Sequence, residues 1–200
     1  MKNSYVVGIC CACVLVVAAT TSQAAVIPLQ SRLGGQAYYD ANLDVTWAAD
    51  SGGGGLMFWD DANTWLSGLT IGGIGGWRLP NADVNGDDIV ESCHGGAPCA
   101  DNELGFIFNR EGITPATPGP FTNVLIEGYS TSTEHVLNTS QVWAVGFGDG
   151  ANAIIGKFNN AIPWPVHDGD VAVVPTPTAI ALFGPAGLCL AGLSRRRVAG

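Results

Sequence analysis

Acidic residues are absent from both ends of this 200-residue chain. The first 39 and the last 30 positions contain none, and all 17 lie between Asp40 and Asp170. Basic residues are scarce where the acids are: residues 25–173 hold four, so that region has a formal net charge of −13. Such a surface repels phosphate backbones, so we do not expect nucleic acid as a partner. Cations and basic partners are favoured instead, although acidity can equally serve solubility alone.

Enzyme signatures are also missing from the sequence. It contains no G-x-S-x-G elbow, no H-E-x-x-H zinc motif, no P-loop and no dinucleotide-binding glycine pattern after a strand. Ser130 and Ser132 lie near Glu134 and His135, but proximity along the chain does not make a catalytic triad. We therefore predict no catalytic residue and expect a protein that is not an enzyme.

The N-terminus has the parts of a secretory signal peptide. Lys2 gives a positive start, residues 5–19 are apolar, and the small residues Ser22 and Ala24 suit signal peptidase. We predict cleavage after Ala24, so that residues 1–24 form the signal. The apolar run is shorter than the roughly 20 residues of a spanning helix, which disfavours a permanent anchor. A lipoprotein signal is weaker still, because the cysteines of this segment have little apolar sequence before them.

The C-terminal segment, residues 174–200, has three parts in order. A short proline-containing motif comes first, an apolar stretch from Thr178 to Leu193 follows, and an arginine cluster comes last. As a helix the apolar stretch would span about 24 Å, which is short of the roughly 30 Å hydrocarbon core. We predict a transient transmembrane helix in the inner membrane with the arginines on the cytoplasmic side. An amphipathic or core helix is disfavoured because the stretch has no polar face. The motif residues are Val174, Pro175, Thr176 and Pro177, and the cluster is Arg195, Arg196 and Arg197.

This arrangement resembles the PEP-CTERM class of sorting signals, in its VPxP variant. Such tails are handled by exosortases in Gram-negative bacteria that make extracellular polysaccharide. The resemblance implies an exosortase-type processing enzyme as a partner. It also implies export through the inner membrane and, after processing, a location at the cell surface or in the extracellular matrix. Thr176 stands where the commonest form has glutamate, which leaves the particular processing enzyme open.

Only two cysteines, Cys93 and Cys99, lie between the signal and the tail. A pair that closes a short polar loop in an oxidising compartment is typical of a disulfide, and we predict one here. His94 lies between them and raises a metal site as the alternative. The four ligands of a structural zinc site are not in view, however.

Residues 25–173 have the length of a single domain. Few helices, many short strands and long loops indicate the α+β class. We predict a hairpin from residues 36–40 and 45–48 and a helix over 58–69 from its apolar spacing. A second helix through Leu104 and Phe108 is predicted to be capped by Asp101. The other predicted strands are 77–80, 142–147 with an antiparallel return at 153–158, and a last short strand at 164–166.

Short motifs in this domain carry a second resemblance. The most specific are Trp77–Pro80, which reads WRLP, and the closing block Trp164–Asp170. Together with stretches at 35–40, 44–47, 59–62, 102–105, 119–124 and 132–134 they resemble a DUF1566 domain, also called the Lcl C-terminal domain. The resemblance implies a C-type-lectin-like α+β fold, and the name-giving members are bacterial surface adhesins that bind sulfated glycans. His167 stands where arginine is usual, which leaves the ionic role of that position open.

An acidic loop over residues 83–91 is the best candidate for a binding site. Its oxygen side chains at alternate positions are similar to the first half of an EF-hand or dockerin loop, which wraps a calcium ion. The predicted calcium ligands are Asp83, Asn85, Asp87, Glu91 and the main-chain carbonyl of Ile89.

Two positions depart from the EF-hand pattern. Asp88 replaces the glycine of the sharp turn, and His94 stands where the bidentate acid belongs. Glu91 or Glu103 can replace that acid only if the loop folds differently. The alternative is a surface loop rich in Asx turns, stapled by the cysteine pair and without a cation.

Three functions are left open by the sequence. The expected one is an exported noncatalytic surface or extracellular-matrix protein that binds glycan or exopolysaccharide, with calcium as the candidate cofactor. The second is a structural matrix or partner-binding component without sugar affinity, and the third and least favoured is an enzyme. The domain has six tryptophans. We expect most of them in the core, whereas a few exposed aromatic rings would stack on sugars.

Overall fold

The computed structural model describes residues 26–93 and 99–171. The predicted signal peptide (1–24) and sorting tail (174–200) lie outside these residues, as does His94. Within them the fold is α+β, as predicted, with two antiparallel sheets and two α-helices. No helix in this described part is long and apolar enough to cross a membrane. In chain order the elements are β1 (Gln30–Arg32), β2 (Ala37–Asp40), β3 (Val45–Ala48), α1 (Trp59–Gly68), α2 (Glu103–Asn109), β4 (Gly128–His135), β5 (Asn138–Gly146), β6 (Asn152–Gly156) and β7 (Val166–Asp168).

The first sheet has the strand order β1-β2-β3-β7, and each neighbouring pair is antiparallel. The predicted first hairpin is confirmed, because Asp40 of β2 lies opposite Val45 of β3 beside the turn. The last strand begins at Val166 rather than at the predicted Trp164. The proline between them, Pro165, has no N–H to donate to a ladder.

The predicted strand at Trp77–Pro80 is not a strand. It makes a single bridge to β7, in which the Arg78 amide donates to the Val166 carbonyl at 2.8 Å and the return bond is 2.9 Å. The neighbouring Trp77 and Leu79 are buried, as expected. Pro80 has no N–H with which to extend the pairing.

The second sheet has the strand order β4-β5-β6. The predicted antiparallel return is confirmed, with Val142 of β5 opposite Ile155 of β6. β5 begins at Asn138, earlier than predicted, because it continues into the hairpin with β4, where Asn138 lies opposite His135.

Both predicted helices are present, and α1 lies within one residue of its predicted bounds. The N-cap of α2 is Asn102, whose side-chain oxygen accepts a hydrogen bond from the Gly105 amide at 2.9 Å. The prediction that Asp101 caps this helix is therefore wrong. Asp101 serves the acidic loop instead, since its Oδ1 accepts a hydrogen bond from the Asn85 amide at 2.6 Å.

Aromatic rings join the two sheets in the core. Trp164 is fully buried, and its ring lies 5.1 Å from that of Trp47 on β3 and 5.7 Å from that of Tyr129 on β4. The Trp164 indole N–H is satisfied, because it donates to the Ala48 carbonyl at 2.9 Å. Of the six tryptophans, Trp47, Trp77 and Trp164 are buried and Trp59, Trp65 and Trp143 are half-buried.

Candidate functional site

The acidic loop is organised around the carboxylate of Asp83. Its Oδ1 accepts hydrogen bonds from the amides of Gly86 (2.9 Å) and Asp87 (3.1 Å), and its Oδ2 accepts one from the Asp88 amide (3.0 Å). Asn85 Oδ1 also turns inward and accepts from the Asp87 amide at 2.8 Å. These Asx turns fix the position of Asp83 and hold the loop in a tight curl.

Three acids meet at this loop. Carboxylate oxygens of Asp83, Asp87 and Asp101 all lie within 4.8 Å of one another. Two of these residues belong to the predicted ligand set, whereas Asp101 does not. The sequence pattern missed Asp101 because this residue lies outside the loop, immediately before the N-cap of α2. An acidic residue at that position predicts a helix cap rather than a metal ligand.

The other predicted ligands are placed around this cluster. The side chain of Ile89 is 65% exposed, and the Asn85 side chain is engaged in the loop turn described above. Glu91 lies beside Asp101, because its Oε2 is 3.4 Å from the Asp101 amide. The main-chain carbonyl of Glu91 accepts hydrogen bonds from the amide side chains of Asn102 and Asn152, at 3.2 and 2.8 Å.

Cys93 and Cys99 follow the loop and are both buried free thiols in this structure. Cys93 Sγ lies 3.9 Å from the Cys99 carbonyl oxygen. A hydrogen bond to Cys99 raises the pKa of Cys93, whereas that bond and the Arg110 guanidinium lower the pKa of Cys99. Cys99 is therefore the better nucleophile of the two. The disulfide between them stays a prediction.

An ion network joins three of the sequence motifs. Arg78 makes two parallel hydrogen bonds to the buried carboxylate of Glu103, at 2.9 and 2.8 Å. Its Nε and Nη2 also donate to Asp168 Oδ1 at 2.8 and 2.5 Å. Burial lowers the pKa of Arg78, but Glu103 and Asp168 raise it by more. The neighbouring His167 takes no part, since its Nδ1 lies 2.6 Å from the Asp168 carbonyl oxygen. The network is structural, because it ties α2 to β7.

Two further carboxyl groups share a buried position beside the first hairpin. Asp40 Oδ2 and Glu111 Oε2 are both buried without a hydrogen-bond partner, while Asn42 donates to the other oxygen of each. Burial, and then the nearby Asp40, raise the pKa of Glu111 to about 8. Glu111 therefore keeps its proton to a higher pH than an ordinary glutamate does.

The serine and histidine side chains of β4 do not form a nucleophile–base pair. Ser130 Oγ and His135 Nδ1 are both buried, and neither has a hydrogen-bond partner among the described residues. Ser132 Oγ donates instead to the Pro80 carbonyl at 3.3 Å. A serine nucleophile needs its base within hydrogen-bond reach, so this strand gives no support for covalent catalysis.

A groove of about 450 Å³ lies between α1 and the first sheet, and we call it the Trp65 groove. Its apolar part comes from Trp65 of α1 and from Leu69, Ile71 and Pro165. Its polar part comes from the side chains of Gln36, Asp50 and Thr122. The remaining lining residues are Gly35, Ala48, Ala49 and Gly53.

The glycine-rich loop before α1 shapes the Trp65 groove. A Cβ atom added at Gly54 would lie 2.9 Å from the Trp65 ring and 2.9 Å from Pro163. Only glycine lets the loop approach the tryptophan this closely. The sequence predicted the helix and the loop, but it could not show that they line a groove together with the half-buried Trp65 ring.

The polar side chains of the groove have unused hydrogen-bonding capacity. Asp50 Oδ1 accepts hydrogen bonds from the Gly52 amide at 3.2 Å and from the Asn123 side chain at 2.9 Å. Asp50 Oδ2 accepts neither of these bonds, so it can accept a hydrogen bond from a ligand on this exposed side chain. Gln36 donates to the Leu33 carbonyl at 3.0 Å, which leaves its side-chain oxygen as an acceptor. The groove thus combines an aromatic surface with two fixed acceptors.

No protein-family model matches the chain, and no curated protein matches it. The resemblances to DUF1566 and to the PEP-CTERM tails therefore stay predictions, based on the motifs quoted above.

Proposed function

We propose that this chain is an exported noncatalytic surface or extracellular-matrix protein that binds glycan in the Trp65 groove. The observation that carries the proposal is the pairing, in one groove of about 450 Å³, of the half-buried Trp65 ring with the acceptors of Asp50 and Gln36. A groove of this size lies in the range of small-molecule sites, about 300–1,000 Å³.

Sugars need both kinds of surface that this groove offers. The C–H face of a pyranose ring is apolar and packs on an aromatic ring such as that of Trp65. The hydroxyl groups around the ring are donors, and a carboxylate and an amide oxygen accept from them. The hydrogen bonds that Asp50 receives from Gly52 and Asn123 hold it in place before a ligand arrives.

Charge favours a neutral glycan as the ligand. Asp50 is the charged side chain among the residues that line the groove, and residues 25–173 carry a formal net charge of −13. A sulfated or phosphorylated polymer would be repelled by both. We therefore propose an uncharged exopolysaccharide segment, in contrast to the sulfated glycans that the Lcl resemblance implies.

The proposal also includes export of the protein to the cell surface or matrix and a C-type-lectin-like fold. The signal peptide (1–24) and the VPxP tail (174–200) support export, transient inner-membrane anchoring and release by an exosortase-type enzyme to the cell surface or matrix. Two small antiparallel sheets, two helices and long loops within the described residues support the C-type-lectin-like form of an α+β fold.

The direct test is binding of purified full-length chain to neutral polysaccharides (dextran, xylan and galactomannan), measured by affinity electrophoresis beside heparin. We expect retardation by at least one neutral polymer and none by heparin. Trp65→Ala should weaken binding about tenfold, which corresponds to about 1.4 kcal/mol. Gln36→Ala should weaken it without disturbing the core, because Gln36 is an exposed side chain.

Phe158→Ala is the matched control, because Phe158 is an aromatic residue that is 75% exposed and does not line the groove. Its loss should leave glycan binding unchanged. If no neutral polymer binds, or if Phe158→Ala and Trp65→Ala act alike, groove recognition is ruled out. A matrix component without sugar affinity would then be the better proposal.

A further inference from the structure

We propose that Asp83, Asp87 and Asp101 bind a calcium ion that links the acidic loop to the N-terminal end of α2. This inference is independent of glycan binding in the Trp65 groove, because it uses none of the residues that line it. It also differs from the sequence pattern, since Asp101 is a ligand that the EF-hand comparison did not include.

The spacing of the three carboxylates fits one hard cation. Calcium takes oxygen ligands at about 2.3–2.6 Å, so oxygens around one ion lie no more than about 5.2 Å apart. The three side chains offer oxygens that all lie within 4.8 Å of one another. All the donors are oxygens, which is the preference of calcium rather than of a softer transition metal.

Asp101 supplies a second and independent indication. Its side chain is only 8% exposed, and its Oδ2 is buried without any hydrogen-bond partner. Its Oδ1 is held by the Asn85 amide at 2.6 Å, so the side chain is fixed in place. A buried carboxylate oxygen without a partner in the protein is costly, and such an atom is suited to binding an ion or a water molecule. A cation between the three acids would satisfy it.

The negative charge of the three carboxylates also favours a divalent cation at this position. Three carboxylates this close repel one another strongly unless a cation or a proton intervenes. Three of the basic residues are committed elsewhere: Arg32 pairs with Asp170, Arg78 with Glu103 and Asp168, and Lys157 with Glu134. A divalent ion would offset most of the negative charge at this point.

The rest of the coordination shell has room for water and main-chain oxygens, because calcium takes six to eight ligands. The backbone amides that donate to Asp83 already orient one ligand, and Asn85 orients another. The loop itself is mostly exposed, so the ion has an open path to it. Calcium binding would hold residues 83–87 against Asp101, which precedes the N-cap of α2.

The experiment is isothermal titration of CaCl₂ into EDTA-treated, purified full-length chain, with thermal unfolding as the second readout. We expect one site per chain with a dissociation constant of about 1 mM or lower, as in other extracellular calcium modules. Asp101→Asn should weaken calcium binding at least about tenfold. Without calcium, the same variant should be as stable as the original chain or more so, because it removes a repulsive charge.

Asp60→Asn/Asp61→Asn is the control, since these exposed acids of α1 are adjacent in the chain and lie outside the cluster. It removes two negative charges, one more than Asp101→Asn, and should still bind calcium normally. Three outcomes would overturn the proposal: no calcium-dependent heat or stabilisation at about 10 mM, unchanged affinity in Asp101→Asn, or equal loss in the control. Glycan binding in the presence of EDTA would not bear on calcium binding. Each of the two proposals can therefore be refuted without refuting the other.

Discussion

Arg78 and Glu103 face each other through two parallel hydrogen bonds of 2.9 and 2.8 Å, and the glutamate side chain is almost completely buried. Glu103 Oε2 also accepts the Asn81 amide at 2.6 Å. The pair brings together two motifs that are 25 residues apart and that the sequence resemblance had marked separately. The pair therefore gives both motifs a role in stabilising the fold.

Arg78→Met should destabilise the domain strongly, because it leaves the buried Glu103 carboxylate without its cation. Breaking a buried ion pair from one side costs about 3–5 kcal/mol, and we expect the lower end because Arg78 is partly exposed. Chemical denaturation measures the loss. Arg78→Met/Glu103→Leu should recover part of it, since no uncompensated charge remains. Glu134→Gln, which breaks the more exposed Lys157–Glu134 pair, should cost less than about 1 kcal/mol. A loss that is equal for Arg78→Met and Glu134→Gln would contradict this explanation.

Stability should fall as the pH rises from about 4.5 to about 8 through Glu111. Its pKa is raised in the folded state to about 8 by burial and Asp40, so the folded chain keeps a proton that the unfolded chain has released. Glu111→Gln mimics the protonated form. The variant should match the original chain near pH 4 and exceed its melting temperature near pH 8. Thermal unfolding across this range is the measurement, with the exposed Glu127→Gln as a control that keeps the original pH profile. Parallel curves for Glu111→Gln and the original chain would refute the raised pKa of Glu111.

If the chain is exported as proposed, the protein should contain a disulfide between Cys93 and Cys99. The buried Cys93 thiol lies 3.9 Å from the Cys99 carbonyl oxygen and the pKa of Cys99 is lowered, which favours attack by the Cys99 thiolate during oxidation. Peptide mapping by mass spectrometry should find the two cysteine peptides joined. Reduction should cost about 2 kcal/mol, the value expected for so short a loop. Cys93→Ser/Cys99→Ser should show no response to reductant, whereas separate unlinked peptides from the exported protein would rule the bond out.

Gly54→Ala should damage the Trp65 groove. The added methyl group would collide with both Trp65 and Pro163 at 2.9 Å, so the loop or the tryptophan must move. We expect loss of stability by about 1–3 kcal/mol, as in other overpacked sites, together with weaker glycan binding. Gly68→Ala is the control, because a Cβ atom there meets nothing within 4 Å and alanine favours a helix. Normal glycan binding by a folded Gly54→Ala chain would argue against the groove.

The sequence predicted local structure well and long-range geometry poorly. The apolar spacing around Ala62 and Leu66 was enough to find α1, and both residues are buried as that spacing requires. The local sequence of Trp77–Pro80 could not show that this segment makes only one bridge, because strand pairing depends on the partner strand β7, which lies far along the chain. The last strand begins at Val166 rather than at Trp164, because Pro165 between them has no N–H to donate.

The acidic loop shows why the candidate site was only partly predicted. Asp83 and Asp87 lie within one short motif, so a spacing rule finds them together. Asp101 reaches the same point from the start of a different element, and only the folded chain brings it there. The groove was missed entirely, because its shape depends on how closely the glycine-rich loop packs against Trp65.

The chain enters the first sheet and leaves it at the same end. Gln30 lies opposite Tyr39 of β2, and Asp168 lies opposite Val45 of β3, so the beginning of β1 and the end of β7 are three strand spacings apart, about 14 Å. Arg32 and Asp170 hold these two edges together with hydrogen bonds of 2.5 and 2.7 Å. About five residues could join the two ends. The domain should therefore tolerate circular permutation, and it could be carried as an insertion in a surface loop of another protein without the loss of any strand pairing.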